Sequence, residues 1–214
     1  MITSRLIAAG AAVLVASSVV IAQQPSRPLS PSGSSSAQVK GKWVKSSAQT
    51  FTAGGDRYTD GKWIDITYGR PMLRGRDVFG SGDKYLLVAG ATIWRAGANV
   101  TTQLTSEVPL TIGGKTIDAG RPYDVFIDVK KDEWTFVLST LTAQKAYDPN
   151  NKTDVYGPYN YVPDKDVVRT KMKVEKLPYS FEEMSWQFID MTDHGGKLAL
   201  LWDKVIATVA FDVG

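Results

Sequence analysis

Two short segments hold most of the side chains in this chain that could meet a ligand. The first, Tyr68-Gly69-Arg70-Pro71-Met72-Leu73-Arg74-Gly75-Arg76-Asp77-Val78-Phe79-Gly80, packs arginine, glycine and proline together. A guanidinium fork holds a carboxylate or phosphate through two parallel hydrogen bonds, and glycine permits turns that other residues cannot make. The second, Ile93-Trp94-Arg95-Ala96-Gly97-Ala98-Asn99-Val100-Thr101-Thr102, sets a Trp and an Arg before a small-residue turn that ends in Asn. Arg70, Arg76, Trp94, Arg95 and Asn99 are therefore the candidate ligand-binding residues. The guanidiniums would hold an anionic or hydroxylated group, Trp94 would form an apolar wall, and Asn99 would be a polar anchor. A plainer reading stands beside this one. Arginines also tie turns to backbone carbonyls or to acids such as Asp65 and Asp77, Trp94 suits a core, and Asn99 suits a left-handed turn.

Other chemistry is limited by composition. The chain has no cysteine, which excludes disulfides, thiolate metal sites and cysteine nucleophiles. It has one histidine, His194, beside Gly195-Gly196, where a solvated turn residue is expected. No Gly-x-Ser-x-Gly elbow accompanies it, so a serine triad is not expected. Asp190, Asp193 and His194 match no metal-ligand spacing, and neither a metal nor a cofactor is expected. Asp65, Asp124, Asp128, Glu133 and Glu182 could supply a carboxylate pair for glycoside cleavage, but sequence does not say which of them converge. Lys plus Arg number 25 and Asp plus Glu 22, a net charge of +3, which argues against a nucleic-acid partner.

The elements that would position these residues read as strands. Ile64, Ile66 and Tyr68 alternate along one face of Trp63–Tyr68, a period of two. Tyr123, Val125, Ile127 and Val129 do the same, and Lys130–Glu133 turns the chain back into Trp134–Leu138. Gly113-Gly114 between β-branched runs is a hairpin signal. Val167–Val174 alternates, Trp186–Met191 favours strand over helix, and Asp193–Gly196 marks a turn. Lys197–Trp202 and Val205–Val213 read as an antiparallel pair around Asp203-Lys204. About ten short strands follow, an all-β, single-domain antiparallel β-sandwich of jelly-roll-like or Greek-key type. Thr142–Lys165 is a long loop. Its tyrosines 147, 156, 159 and 161 mark it as packed or functional rather than floppy.

The N-terminus reads as an address. Residues 1–22 carry Arg5, then an uncharged apolar run from Leu6 to Ile21, then Ala22, the pattern of a secretory signal peptide. The run falls short of the ~20 apolar residues of a spanning helix and is broken by Gly10, Ser17 and Ser18. Residues 23–38 are rich in Ser and Pro and read as a disordered linker. The folded domain is then residues 39–214, exported to the periplasm or the medium, with no membrane attachment once the signal is cleaved.

Across residues 40–213 the chain resembles the domain of unknown function 2911 (DUF 2911). The resemblance rests on Tyr68-Gly69-Arg70-Pro71, Gly75-Arg76, Phe79-Gly80, Trp94-Arg95-Ala96-Gly97-Ala98-Asn99, Gly113-Gly114-Lys115 and Ala119-Gly120. Further echoes are Glu133-Trp134, Asp166-Val167-Val168-Arg169 and Leu200-Leu201-Trp202. The family's acidic residue after the Gly-Ala-Asn turn is Val100 in this chain. The resemblance implies an exported, mostly bacterial protein and no particular activity. The expectation is a non-enzymatic binding or structural module for a small anionic or saccharide ligand, or for a protein partner. The alternative is a carbohydrate-active hydrolase or lyase that uses a carboxylate pair or an arginine-stabilised anion.

Overall fold

The structure is a computed structural model that describes residues 28–45, 56–80, 93–130 and 133–214. Residues 1–22, which the sequence reads as a signal peptide, lie outside the described residues. Among the described residues twelve strands follow in order: β1 (Ser32–Val39), β2 (Lys42–Lys45), β3 (Asp56–Thr59), β4 (Lys62–Gly69), β5 (Thr102–Ser106), β6 (Leu110–Ile112), β7 (Lys115–Ile117), β8 (Tyr123–Val129), β9 (Trp134–Ser139), β10 (Asp166–Lys171), β11 (Lys173–Thr192) and β12 (Gly195–Val213). Two antiparallel sheets form an open sandwich, one in the order β1-β4-β5-β8-β9-β10 and one in the order β11-β12-β6-β7. β2 and β3 make a separate two-stranded ribbon.

Alternation decides which face is core. Ile64, Ile66, Leu104, Val125, Ile127, Phe136 and Leu138 face the second sheet and meet Met184, Trp186, Leu198, Leu200 and Phe211. The outer face of the six-stranded sheet carries a smaller cluster. There Phe126 and Val137 pack with Ile93 and Val155, and Leu141, Ala143 and Tyr161 close over them. Strand β8 is thus buried on both faces at its centre, which is why its residues are apolar beyond simple alternation.

Three expectations change. First, Ser32–Val39 does not belong to a disordered linker. It is strand β1, paired along its whole length with β4, so the ordered domain starts before residue 39. Polar strands form readily at a sheet edge, where backbone hydrogen bonds to a preformed neighbour do the ordering. Second, the strands are not all short. Asp203-Lys204 is not a hairpin turn, and Gly195–Val213 runs on as β12 with Asp203 in the left-handed region at φ 48°. The irregularity is a bulge against Phe181, which bends a strand without reversing it. Third, the expected Val167–Val174 strand is interrupted at Met172, with β10 on one side and β11 on the other.

The loop between β9 and β10 is packed, as its tyrosines suggested. Tyr147 lies 5.4 Å from Tyr156 and 6.0 Å from Tyr159. Gln144 ties the loop to itself, donating to the Asp154 carbonyl at 2.7 Å and accepting from the Asp148 amide at 2.9 Å.

Candidate functional site

Residues directly opposite in an antiparallel sheet share a face, and one such row crosses the whole six-stranded sheet. Ser34, Thr67, Gln103, Asp124, Ser139 and Asp166 stand side by side, one from each strand. The row runs along the outer face. Ser34 and Thr67 are exposed, Gln103 is half-buried, and Asp124 and Ser139 are buried. At the exposed end it floors a cleft of about 720 Å³. Arg70 and Val100 contribute to this cleft from the two dense segments, and Ala143, Gln144 and Lys145 from the long loop.

Some of these polar groups are committed elsewhere, Gln103 to Asp124 and the Tyr68 hydroxyl to the Trp186 carbonyl. Gln144 and Thr101 serve the fold, since Thr101 Oγ1 accepts from the Gly157 amide at 3.2 Å. Among the described residues, the Ser34 and Thr67 hydroxyls and the Lys145 ammonium make no side-chain hydrogen bond. Arg70 lies across Gly33. Among the described residues it uses only Nε, toward the Ser32 carbonyl at 3.2 Å and the Glu183 carboxylate at 3.3 Å. Its two terminal nitrogens make no hydrogen bond or ion pair among the described residues.

Of the five residues singled out by sequence, Arg70 alone is among the described residues that line the cleft. Trp94 is buried. It bridges to Ile127 through its backbone, stacks on Trp202 at 6.1 Å and donates Nε1 to the Gly97 carbonyl at 3.0 Å. Arg76 caps its own turn, with Nε on the Leu73 carbonyl and Nη2 on the Met72 carbonyl. Arg95 donates to the Asn99 carbonyl and lies over the Tyr156 ring at 5.5 Å, where burial lowers its pKa. Asn99 takes a left-handed φ of 61° and donates Nδ2 to the Ser30 carbonyl at 2.8 Å. These four hold the loops that frame the cleft, as the plainer reading has it. Their partners are carbonyls, a ring and the turn itself rather than Asp65 or Asp77.

The acids weighed for a carboxylate pair are scattered. Asp65 accepts from Ser36 at 2.5 Å, Asp128 pairs with Arg169 at 3.2 Å, Glu133 pairs with Lys171 at 2.5 Å, and Glu182 accepts from the Arg74 amide at 2.8 Å. Asp124 forms no ion pair among the described residues and accepts from Gln103 at 3.0 Å. Burial, opposed in part by a hydrogen bond from Gln103, raises its carboxyl to about 7. At the far end of the row Tyr161 donates to Asp166 at 2.6 Å, and Arg169 joins both. Burial first, then Asp166, raises the Tyr161 pKa. His194 sits in the β11–β12 turn as expected. Asp190 pairs with Lys197 at 2.7 Å, and Asp193 accepts from Tyr58 and the Lys40 amide.

Gln103, Thr67, Ser34 and Lys145 were missed in the sequence. A signal existed for the first two, which occupy the polar phase of alternating strands, but alternation marks such positions as solvated and not as convergent.

A family model described as "Protein of unknown function (DUF2911)" matches residues 46–211. No curated protein and no solved structure matches the chain.

Proposed function

Since the chain belongs to the DUF2911 family of proteins of unknown function, whose name carries no activity, we propose from the cleft that it is a binding module for a small hydroxylated acid of the sugar-acid class. The observation that carries this reading is the lining. Terminal guanidinium nitrogens of Arg70 and the Lys145 ammonium suit a carboxylate or phosphate, and the Ser34 and Thr67 hydroxyls with the Gln103 amide suit ligand hydroxyls. No carboxylate is found among the described residues of the lining, which favours binding over hydrolysis by an acid pair. The module acts outside the cytoplasm, after the leader pattern of residues 1–22 has directed export and been removed.

The test is a thermal-shift series on the chain lacking residues 1–22, with glucose, glucuronate, galacturonate and inorganic phosphate. A ligand at 100 times its dissociation constant adds about 2.7 kcal/mol to stability. Glucuronate or galacturonate should raise Tm more than glucose does. Lys145→Ala, which removes an exposed cation with no structural partner among the described residues, should weaken that binding about fivefold, as ~1 kcal/mol for one rim charge implies. Equal responses to glucose and the acids, or none to any of them, would overturn the reading.

A further inference from the structure

Asp124 is the buried acid that the cleft reading leaves unused. It is 1% exposed. Oδ1 accepts from Gln103 Nε2 at 3.0 Å, and Oδ2 has no partner among the described residues. Its neighbours across the sheet are neutral, Gln103 on β5 and Ser139 on β9, and the Ser139 hydroxyl is turned to the Lys165 carbonyl at 3.1 Å.

The charged groups on the surrounding elements are engaged elsewhere or stand at the cleft rim. Asp65 on β4 holds Ser36, and Asp128 on β8 and Asp166 on β10 share Arg169. Arg95 holds the Asn99 carbonyl, Arg70 pairs with Glu183, and Lys145 is exposed on the long loop. Asp124 forms no ion pair with any of them. Its charge is governed by burial, and Gln103 is its one side-chain contact that also lines the cleft.

The chemistry of that contact has two states. An ionised carboxylate can only accept, so it holds Nε2 of Gln103 inward and leaves Oε1 for the cleft. A protonated carboxyl also donates. It can bond Oε1 once the amide has turned over, which leaves the NH₂ group for the cleft. We propose that Asp124 and Gln103 form a proton-controlled reader in the cleft floor, accepting hydroxyl donors when Asp124 is ionised and donating to ligand oxygens when it is protonated. The consequence for ligands rests on the cleft reading above, but the reader itself needs no ligand.

The ligand-free chain tests it. The side-chain NH₂ resonances of Gln103, assigned by their loss in Gln103→Met, are followed by NMR from pH 5 to pH 9 beside the Asp124 carboxyl carbon. The two should titrate together. In Asp124→Asn, which keeps the shape and an acceptor but cannot ionise, the Gln103 titration should vanish while those of other groups persist. A Gln103 signal that does not move with Asp124 in the wild-type chain overturns the reader, whether or not the variant folds. Glucuronate binding at pH 5 and pH 9 separates the two proposals. Binding with an unmoved Gln103 sinks the reader alone, and a titrating Gln103 in a chain that binds no sugar acid sinks the cleft reading alone.

Discussion

Asp124 holds its proton more tightly in the folded chain than in the unfolded one, because burial lifts its carboxyl from 3.8 to about 7. Stability therefore depends on pH with a definite sign. Below about pH 4 both states are protonated, and above about pH 7 both are ionised. Between these limits only the folded state keeps the proton, so this group's contribution falls as pH rises, by up to about 1.4 kcal/mol per pH unit. Asp124→Asn removes that slope. Relative to wild type it should gain Tm from about pH 4 to pH 7 and level off above, and parallel Tm curves would show that Asp124 ionises as it does in the unfolded chain. Gly69 is a second single-residue test. A Cβ there would sit 1.9 Å from the Ala98 carbonyl oxygen, where the end of β4 meets the turn that carries Asn99. Gly69→Ala should cost roughly 1–3 kcal/mol in denaturant unfolding, as overpacking does.

Strand β1 shows what patterning can and cannot reveal. Ser-Gly-Ser-Ser-Ser-Ala-Gln-Val has almost no apolar period, so nothing in it announces a strand. It is ordered because β4 offers a row of unpaired backbone groups at the edge of a sheet that folds for other reasons. Deleting residues 1–38 should therefore lower Tm by several degrees and expose the β4 edge to aggregation, measurable by light scattering. A truncated chain as stable as the full one would contradict this account. Strands with a buried face, such as Trp63–Tyr68 and Tyr123–Val129, were legible because a half-buried sheet imposes a period of two. Asp203 was not, because a turn and a bulge use the same polar, left-handed residues. The two dense segments stand out in the sequence by their glycine and arginine content. Their local sequence could not say whether an arginine faces a cleft or a carbonyl; Arg70 lines the cleft while its Nε meets the Ser32 carbonyl, and Arg76 bonds to the Leu73 and Met72 carbonyls.

On the scale of the molecule, order is unevenly spread. β8 lies inside the six-stranded sheet with core on both faces, and β12 is paired with both β11 and β6. The β2–β3 ribbon pairs only with itself and leaves Trp43 71% exposed. Amide exchange should be slowest in β8 and β12 and faster by orders of magnitude in β2 and β3. Uniform protection across all three would mean that the ribbon is buttressed by something not seen in its contacts. The cleft lies between these extremes, with one wall on rigid strands and another on the tyrosine-packed loop.

A strand built mostly of serine could slide along its neighbour with little to choose between one alignment and the next. Gly33 and Val39 oppose that freedom. A slip of one residue would bring Ser32 or Ser34 beneath Arg70, where a Cβ would meet the arginine's Cδ at 2.5 Å, and would swing Val39 out of the core toward water. One missing methyl group, with Val39 in the core, thus favours one register for strand β1. Because Ser32, Gly33 and Ser34 line the cleft, the same register sets which hydroxyl a ligand would find there.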